Sequence, residues 1–168
     1  LKPHKMKKLL LIFSAAFFVF GCTSESKKEK IEGTFSGIFD KVKEEFAPDR
    51  RAKTFEAKLE VSEKGDTVIL RGSTTESAAK DALIAKLSEA GIDALDSMVM
   101  LPHPALGDKI FGITNQSAIN FRYSPNYSSE SATQTVMGAP LQILEKRGGW
   151  TRAVTPEGYI AWVSSGSI

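Results

Sequence analysis

The chain has 168 residues, with 22 lysines and arginines against 20 aspartates and glutamates, and its formal net charge at pH 7 is +2. Residues 1–21 contain four of the lysines and no acid, so 18 basic residues (22 minus 4) face 20 acidic ones in the rest of the chain. This balance shows no basic excess of the kind that nucleic-acid binding requires, and a single cysteine excludes an intrachain disulfide.

The first segment has the pattern of an export signal. Residues 5–8 ("KMKK") are basic, and residues 9–20 are apolar apart from Ser14. That apolar run is shorter than the roughly 20 residues a membrane-spanning helix needs. The pattern predicts a signal peptide over residues 1–21, with Met6 as the expected start.

The only cysteine, Cys22, follows this segment in "VFGCTS". A lone cysteine can be a catalytic thiolate, half of an intermolecular disulfide, a buried apolar residue or a lipid attachment point. Gly21-Cys22 resembles the lipobox of bacterial lipoproteins, although the bulky Phe20 departs from the usual small residue. The resemblance implies that Cys22 carries a diacylglycerol. The expected location is then the bacterial envelope, with the protein anchored to a membrane facing the periplasm or the cell surface.

Residues 22–33 are charged and nearly free of apolar residues, which predicts a solvated tether. A helix is predicted over residues 34–47, because apolar residues recur there at helical spacing before Pro48. Alternating apolar residues predict a strand at 55–61, and "TVILR" predicts its returning partner at 67–71.

Ser73 and Glu76 have the spacing of a capping box, which predicts a helix running to Ala90. A third strand is predicted at residues 97–101. The order α-β-β-α-β predicts an α+β domain over residues 34–102. Its "DTVILRGSTTESAAKDALIAKLSEAGIDALDSMVMLP" resembles a BON-type domain, which implies association with phospholipid surfaces or other proteins.

Residues 103–108 are the predicted linker. His103 is the only histidine after the signal segment, and no positioned partner for a general base or metal ligand lies near it in sequence. The prediction is a solvent-exposed loop histidine, with no metal site and no cofactor.

The C-terminal segment, residues 109–168, changes to a β pattern. Five short runs alternate apolar and polar residues between turns rich in glycine and proline, which predicts a small barrel. The five runs are residues 109–114, 118–122, 141–146, 150–154 and 159–163.

This segment resembles a bacterial SH3 (SH3b) domain. The landmarks are Asn120-x-Arg122-x-x-Pro125, Gly138-x-Pro140, Gly149-Trp150 and Gly158-Tyr159-x-x-Trp162-Val163. Ala161 departs from the glycine usual before the tryptophan. The fold class expected for the whole chain is therefore α+β followed by an SH3-like barrel.

Within that family, "SSESATQTVMGAPLQIL" before "GGW" resembles the SH3b domain of exported NlpC-type cell-wall peptidases of Bacteroidetes. The resemblance implies recognition of the free N-terminal amine of a peptidoglycan stem peptide or muropeptide. Glu130 matches the carboxylate that binds the ammonium group, and Tyr159 is the best match for its tyrosine. Either could instead be structural, as a surface acid or a core aromatic.

Four further residues complete the predicted ligand-binding set. Tyr123 and Tyr127 flank the loop around Glu130, and Asn120 and Arg122 precede it; Arg122 is also expected to brace the loop through a carbonyl or carboxylate. Both tryptophans, Trp150 and Trp162, are predicted to be core.

The peptidase domain of that family needs a cysteine and a histidine. In this chain Cys22 is the expected lipidation site, and His103 lies in the predicted linker. We therefore expect no catalysis from this chain and predict a lipid-anchored module that binds stem peptides. One alternative is the N-terminal part of a longer NlpC-type γ-D-glutamyl-L-diamino acid endopeptidase, with the peptidase domain as partner. The other is a lipoprotein that binds lipid or a partner through the BON-like domain.

Overall fold

The first helix, α1 (Lys27–Phe46), starts earlier than predicted in the computed structural model, which describes residues 26–168. The Ser26 side chain accepts from the Glu29 backbone N–H, and the Glu29 carboxylate accepts from the Ser26 N–H, which makes a capping box. Ile31 then packs against the core, and Lys28 pairs with Glu63 at 2.6 Å. The predicted tether is therefore wrong from Lys27 onward, because one cap and one apolar side chain extend the helix. The predicted signal peptide, Cys22 and the rest of the tether lie outside the described residues.

The N-terminal unit is a three-stranded sheet with two helices packed against it. Its strands lie in the order β1-β2-β3, with β1 and β2 antiparallel and β2 and β3 parallel. The elements are β1 (Phe55–Val61), β2 (Val68–Thr74), α2 (Ser77–Glu89) and β3 (Leu95–Met100). The predicted order α-β-β-α-β is confirmed, whereas the BON-type resemblance stays a prediction.

One apolar core holds this unit together. Residues spaced four apart on α2, Ala79, Leu83 and Leu87, are buried against Val42 of α1 and Leu70 of the central strand. Full burial of a leucine or valine side chain contributes about 1.5–3 kcal/mol. Both helices pack against one face of the sheet, so the strand residues between these core positions, such as Glu56 and Arg71, lie on the other face.

The predicted capping box at Ser73 and Glu76 is wrong. β2 continues through Thr74, and Ser73 pairs with Glu56 on one side and Val99 on the other. Its backbone is committed to the sheet, so α2 begins after Glu76 without a side-chain cap.

The C-terminal unit is a six-stranded sheet in the order β4-β7-β8-β9-β5-β6. Its core contains Phe121, Leu141, Ile143 and Val163. The strands are β4 (Phe111–Ile113), β5 (Ala118–Arg122), β6 (Ser131–Val136), β7 (Pro140–Arg147), β8 (Trp150–Val154) and β9 (Ile160–Ser164).

This sheet is not the closed barrel that the sequence predicted. β4 has three residues, and the next residue, Thr114, bonds through its backbone to Gly138 and Ala139 in the turn before β7. Those backbone groups are not available to β6, so the ladder stays open between β4 and β6.

The two units are held together by apolar packing and by polar contacts. Leu101, Leu144 and Ile160 form a small buried cluster between them. The Ile160 N–H donates to the Arg51 carbonyl at 2.6 Å, and Arg152 pairs with Glu56 at 2.5 Å. Within residues 26–168, none of the helices combines the length and apolar character needed to cross a bilayer.

Candidate functional site

The six predicted ligand-binding residues lie on two different faces of the C-terminal unit. We call Tyr123, Glu130 and Tyr159 the inner face, because they lie next to the segment that connects α1 with β1. We call Asn120, Arg122 and Tyr127 the outer face. The sequence placed all six in one set, and the structure separates them.

The inner face already holds a cation. The Arg50 guanidinium lies 4.0 Å from the centre of the Tyr123 ring, and its Nη2 is 3.9 Å from Glu130 Oε2. A ring face and a carboxylate both attract a cationic group. Glu130 and Tyr123 therefore act together as a cation-accepting pair.

Tyr159 extends the inner face towards the neighbouring Arg51. The Arg51 guanidinium lies 5.8 Å from the centre of the Tyr159 ring. Arg51 is fixed by Asp49, which accepts from Arg51 Nε and Nη2 at 3.1 Å each. Two consecutive arginines of one connection thus lie opposite the two inner-face tyrosines.

The Asp49–Arg51 pair gives a pH prediction. The side-chain hydrogen bond from Arg51, assisted by its backbone N–H, lowers the pKa of Asp49 below its ordinary value of 3.8. A lowered pKa means that the pair contributes stability above the ordinary pKa and loses it as the pH falls through the folded value. Carbon-detected NMR should therefore show Asp49 titrating below pH 3.8, and Arg51→Met should raise its midpoint. A midpoint unchanged by that substitution would contradict the assignment.

A cavity of about 240 Å³ lies between the two units beside the inner face. Tyr123 of the inner face lines this cavity, and so does Arg50, the arginine that lies against it. The other charged residues of the lining are Lys43, Lys53, Glu56 and Arg152. Cations therefore outnumber acids in this cavity.

Arg152 is the most buried of these cations, with 5% of its side chain exposed. Its Nη2 donates to Glu56, its Nε is 3.3 Å from Glu145 Oε1, and its guanidinium lies 4.5 Å from the Trp162 ring centre. Its Nη1 is buried, and no residue from 26 to 168 forms a hydrogen bond with it. Neither Arg152 nor Arg50 was predicted from the sequence, although an arginine inside the apolar strand "WTRAV" is an available signal.

The outer face surrounds a shallower cavity of about 210 Å³. Arg122 Nη1 donates to the Ser129 carbonyl at 2.6 Å, which confirms the predicted loop brace. Asn120 Oδ1 accepts from Gln134 Nε2, and the exposed Tyr127 ring lies 4.8 Å from that of Trp150.

Both tryptophans are buried, as predicted: Trp162 is 1% exposed and Trp150 is 9% exposed. Trp162 lines the cavity between the units, whereas Trp150 lines the outer cavity. Each is therefore a core residue with part of its ring at a cavity wall.

His103 differs from the prediction of a solvent-exposed loop residue. It is half-buried, its Nδ1 accepts from the Ala105 N–H at 3.1 Å, and its backbone N–H donates to Leu144. The predicted linker forms a short 3₁₀ turn, Pro104–Leu106, which His103 caps. Among the residues that the structure describes, no three histidine, cysteine or acidic side chains are grouped to hold a metal ion.

Residues 117–168 match the sequence model of the bacterial SH3 domain. The C-terminal sheet is therefore a bacterial SH3 domain, to which β4 adds one strand at its edge through pairing with β7. A search of curated proteins found no match to the chain.

Proposed function

We propose that the bacterial SH3 domain of residues 117–168 binds peptidoglycan stem peptides through their free amino group, and that its receptor is the inner face. The observation that supports this most directly is the Arg50 guanidinium, which lies against Tyr123 and 3.9 Å from Glu130. An ammonium group attracted by the same ring and carboxylate would take the place of this guanidinium.

The exchange of Arg50 for a ligand amine is physically easy. The Arg50 and Glu130 side chains are 66% and 75% exposed, and exposed ion pairs contribute little to stability. Arg50 can therefore move away without loss of the fold. A charge-assisted hydrogen bond between Glu130 and an ammonium would be shorter and stronger than the present 3.9 Å contact.

We also propose that the chain is exported and lipid-anchored through Cys22, which would hold the domain next to the cell wall. The support is the sequence "VFGCTS" after a basic and apolar segment. Attachment of more than one acyl chain would give stable membrane association, which a single chain does not. In this account the chain binds and positions peptides, and catalysis belongs to another domain or protein.

The anchor proposal predicts the effect of one substitution. Cys22→Ser should move the protein from the membrane fraction to the soluble fraction of the envelope, because no thiol remains to accept lipid. Ser24→Ala, two residues away, should leave it in the membrane fraction. Membrane fractionation followed by mass spectrometry of the N-terminal peptide measures both, and a Cys22→Ser protein that stays with the membrane would count against the anchor.

Titration of the full chain, in mild detergent, with L-Ala-γ-D-Glu-diaminopimelate tests the binding proposal. Glu130→Gln should weaken binding about tenfold or more, since hydrogen bonds to charged groups are worth about 1.5–3 kcal/mol. Blocking the amine by acetylation should weaken it similarly for the wild type. Acetylation should have little further effect on Glu130→Gln, because both changes remove one interaction.

Glu157→Gln is the matched control. Glu157 is also an exposed glutamate of the SH3 domain, but it lies in the turn between β8 and β9, and its carboxylate forms no ion pair within residues 26–168. Its replacement should leave the affinity unchanged. Equal binding of the free and acetylated peptides by wild type would refute amine recognition.

A further inference from the structure

We propose that the cavity between the two units is a carboxylate-binding subsite whose main donor is Arg152. This inference rests on the proposed function and assigns a second group on the same ligand. The ligand class is then a short peptide with a free amine at one end and carboxylates further along. Its amine would bind at Glu130 and Tyr123, and a carboxylate would enter the cavity.

The charges around the cavity favour an anion. Its lining contains four cationic side chains and one acid, Glu56. Glu56 is paired with Arg152, and Lys53 is paired with Glu76 at 3.0 Å. Arg50 is paired with Glu130 at 3.9 Å, and Arg152 is also paired with Glu145 at 3.3 Å. Within residues 26–168, Lys43 is the one lining cation without an ion pair, so it is the charge that an incoming anion would neutralise.

Arg152 has the geometry of a fixed anion receptor. Its guanidinium is held by the carboxylates of Glu56 and Glu145 and lies against the Trp162 ring, so a ligand would not need to order it. Nη1 is buried without an acceptor in the described part of the chain, which is costly for a charged group in a protein interior. A carboxylate oxygen would supply the missing acceptor, and arginine suits carboxylates because its N–H groups form a planar fork.

The remaining walls suit the aliphatic part of a peptide. Phe55, Ile160 and Trp162 line the cavity, and none of them can neutralise its cations. Tyr123 lines the same cavity and holds Arg50 beside Glu130. The amine site and the cavity are thus joined by one side chain, as a single ligand spanning both requires.

Calorimetry on the full chain in detergent tests this subsite with two ligands. One is L-Ala-γ-D-Glu-diaminopimelate, and the other is the same peptide with carboxamides in place of its carboxylates. Amidation should weaken binding about tenfold or more in wild type. Arg152→Lys keeps the positive charge but loses the planar guanidinium. It should therefore remove most of the difference in affinity between the two peptides. Glu130→Gln should weaken both peptides by the same factor and preserve the difference.

Side-chain ¹⁵N NMR of the arginines locates the contact without any substitution. Adding the peptide should shift the Arg152 signals, whereas Arg122, which lies on the outer face, should not respond. This measurement stands even if Arg152→Lys fails to fold.

The outcomes separate this inference from the proposed function. If acetylation weakens binding but amidation does not, the amine site stands and the carboxylate subsite is overturned. If neither the peptide nor its amide binds, both are overturned. If inorganic phosphate displaces the peptide from Arg152 at concentrations where acetate does not, the site takes phosphate and the assignment to a carboxylate is wrong.

Discussion

Gly72→Ala is expected to destabilise the protein by more than about 3 kcal/mol, because strain and overpacking combine at one backbone position. A Cβ at Gly72 would lie 1.9 Å from the Glu56 carbonyl oxygen and 2.8 Å from the Ala57 Cα. Both contacts are with backbone atoms of the neighbouring strand β1, which cannot move aside as a flexible side chain can. Gly72 also lies in the central strand, which pairs with a strand on each side. A backbone shift that relieved the clash would therefore disrupt the whole sheet.

Urea unfolding followed by circular dichroism measures this effect, and Gly37→Ala is its control. Gly37 lies in α1 with nothing within 4 Å of its Cβ position. Alanine there should stabilise the protein by about 0.5–1 kcal/mol, since glycine is the poorer helix former. Similar stabilities for Gly72→Ala and wild type would contradict the β1–β2 register.

Arg152→Met is expected to lower the free energy of unfolding by about 3–5 kcal/mol, the range seen when one partner of a buried ion pair is removed. Glu145, with 9% of its side chain exposed, would remain as a buried carboxylate. Among residues 26–168, Arg147 alone would still pair with it, at 3.2 Å. Replacing both residues, as Glu145→Leu with Arg152→Met, should recover part of the loss because no unpaired charge is left inside.

Arg71→Met is the matched control for that result. Arg71 also pairs with a glutamate, Glu60 at 2.7 Å, but both side chains are more than 40% exposed. Exposed ion pairs contribute little to stability, so the free energy of unfolding of Arg71→Met should stay close to that of wild type. If Arg152→Met were as stable as Arg71→Met, the buried Arg152–Glu145 pair would not contribute the expected stability.

Local sequence patterns were sufficient for most of the secondary structure. Alternation in "FEAKLEV" predicted β1 with its observed bounds, and "AINFR" and "WTRAV" did the same for β5 and β8. In β1 and β5 the large apolar residues lie at alternate positions, and they are the more buried residues of the strand, whereas β8 also buries its polar residues Thr151 and Arg152. β6 was missed because "SATQTV" is mostly polar and buries threonine at Thr135.

The errors share a physical cause, which is competition from distant parts of the chain. Ser73 has the spacing of a helix cap, but pairing with β1 and β3 commits it to the sheet. The charged residues after Ser26 resemble a tether. They are helical because Ile31 packs against the core, which extends α1 towards the N-terminus. Neither the strands that pair with Ser73 nor the core that contacts Ile31 can be recognised from the local sequence.

The candidate site shows the same division between local and distant information. Arg122 was correctly expected to brace its loop, because its acceptor, Ser129, is only seven residues away. Arg50 could not be placed against Tyr123 and Glu130 from the sequence, since it lies more than 70 residues before them in another unit. The separation of the six predicted residues into two faces likewise depends on how the units pack.

Mapping backbone amide shifts during titration with L-Ala-γ-D-Glu-diaminopimelate tests the central claim most directly, because it reports which face binds. Shifts are expected at residues 47–56, 123–124, 129–131 and 158–162, which surround the inner face and the adjoining cavity. Shifts confined to the outer face, at Asn120, Tyr127 and Trp150, would contradict it, as would a spectrum that does not change.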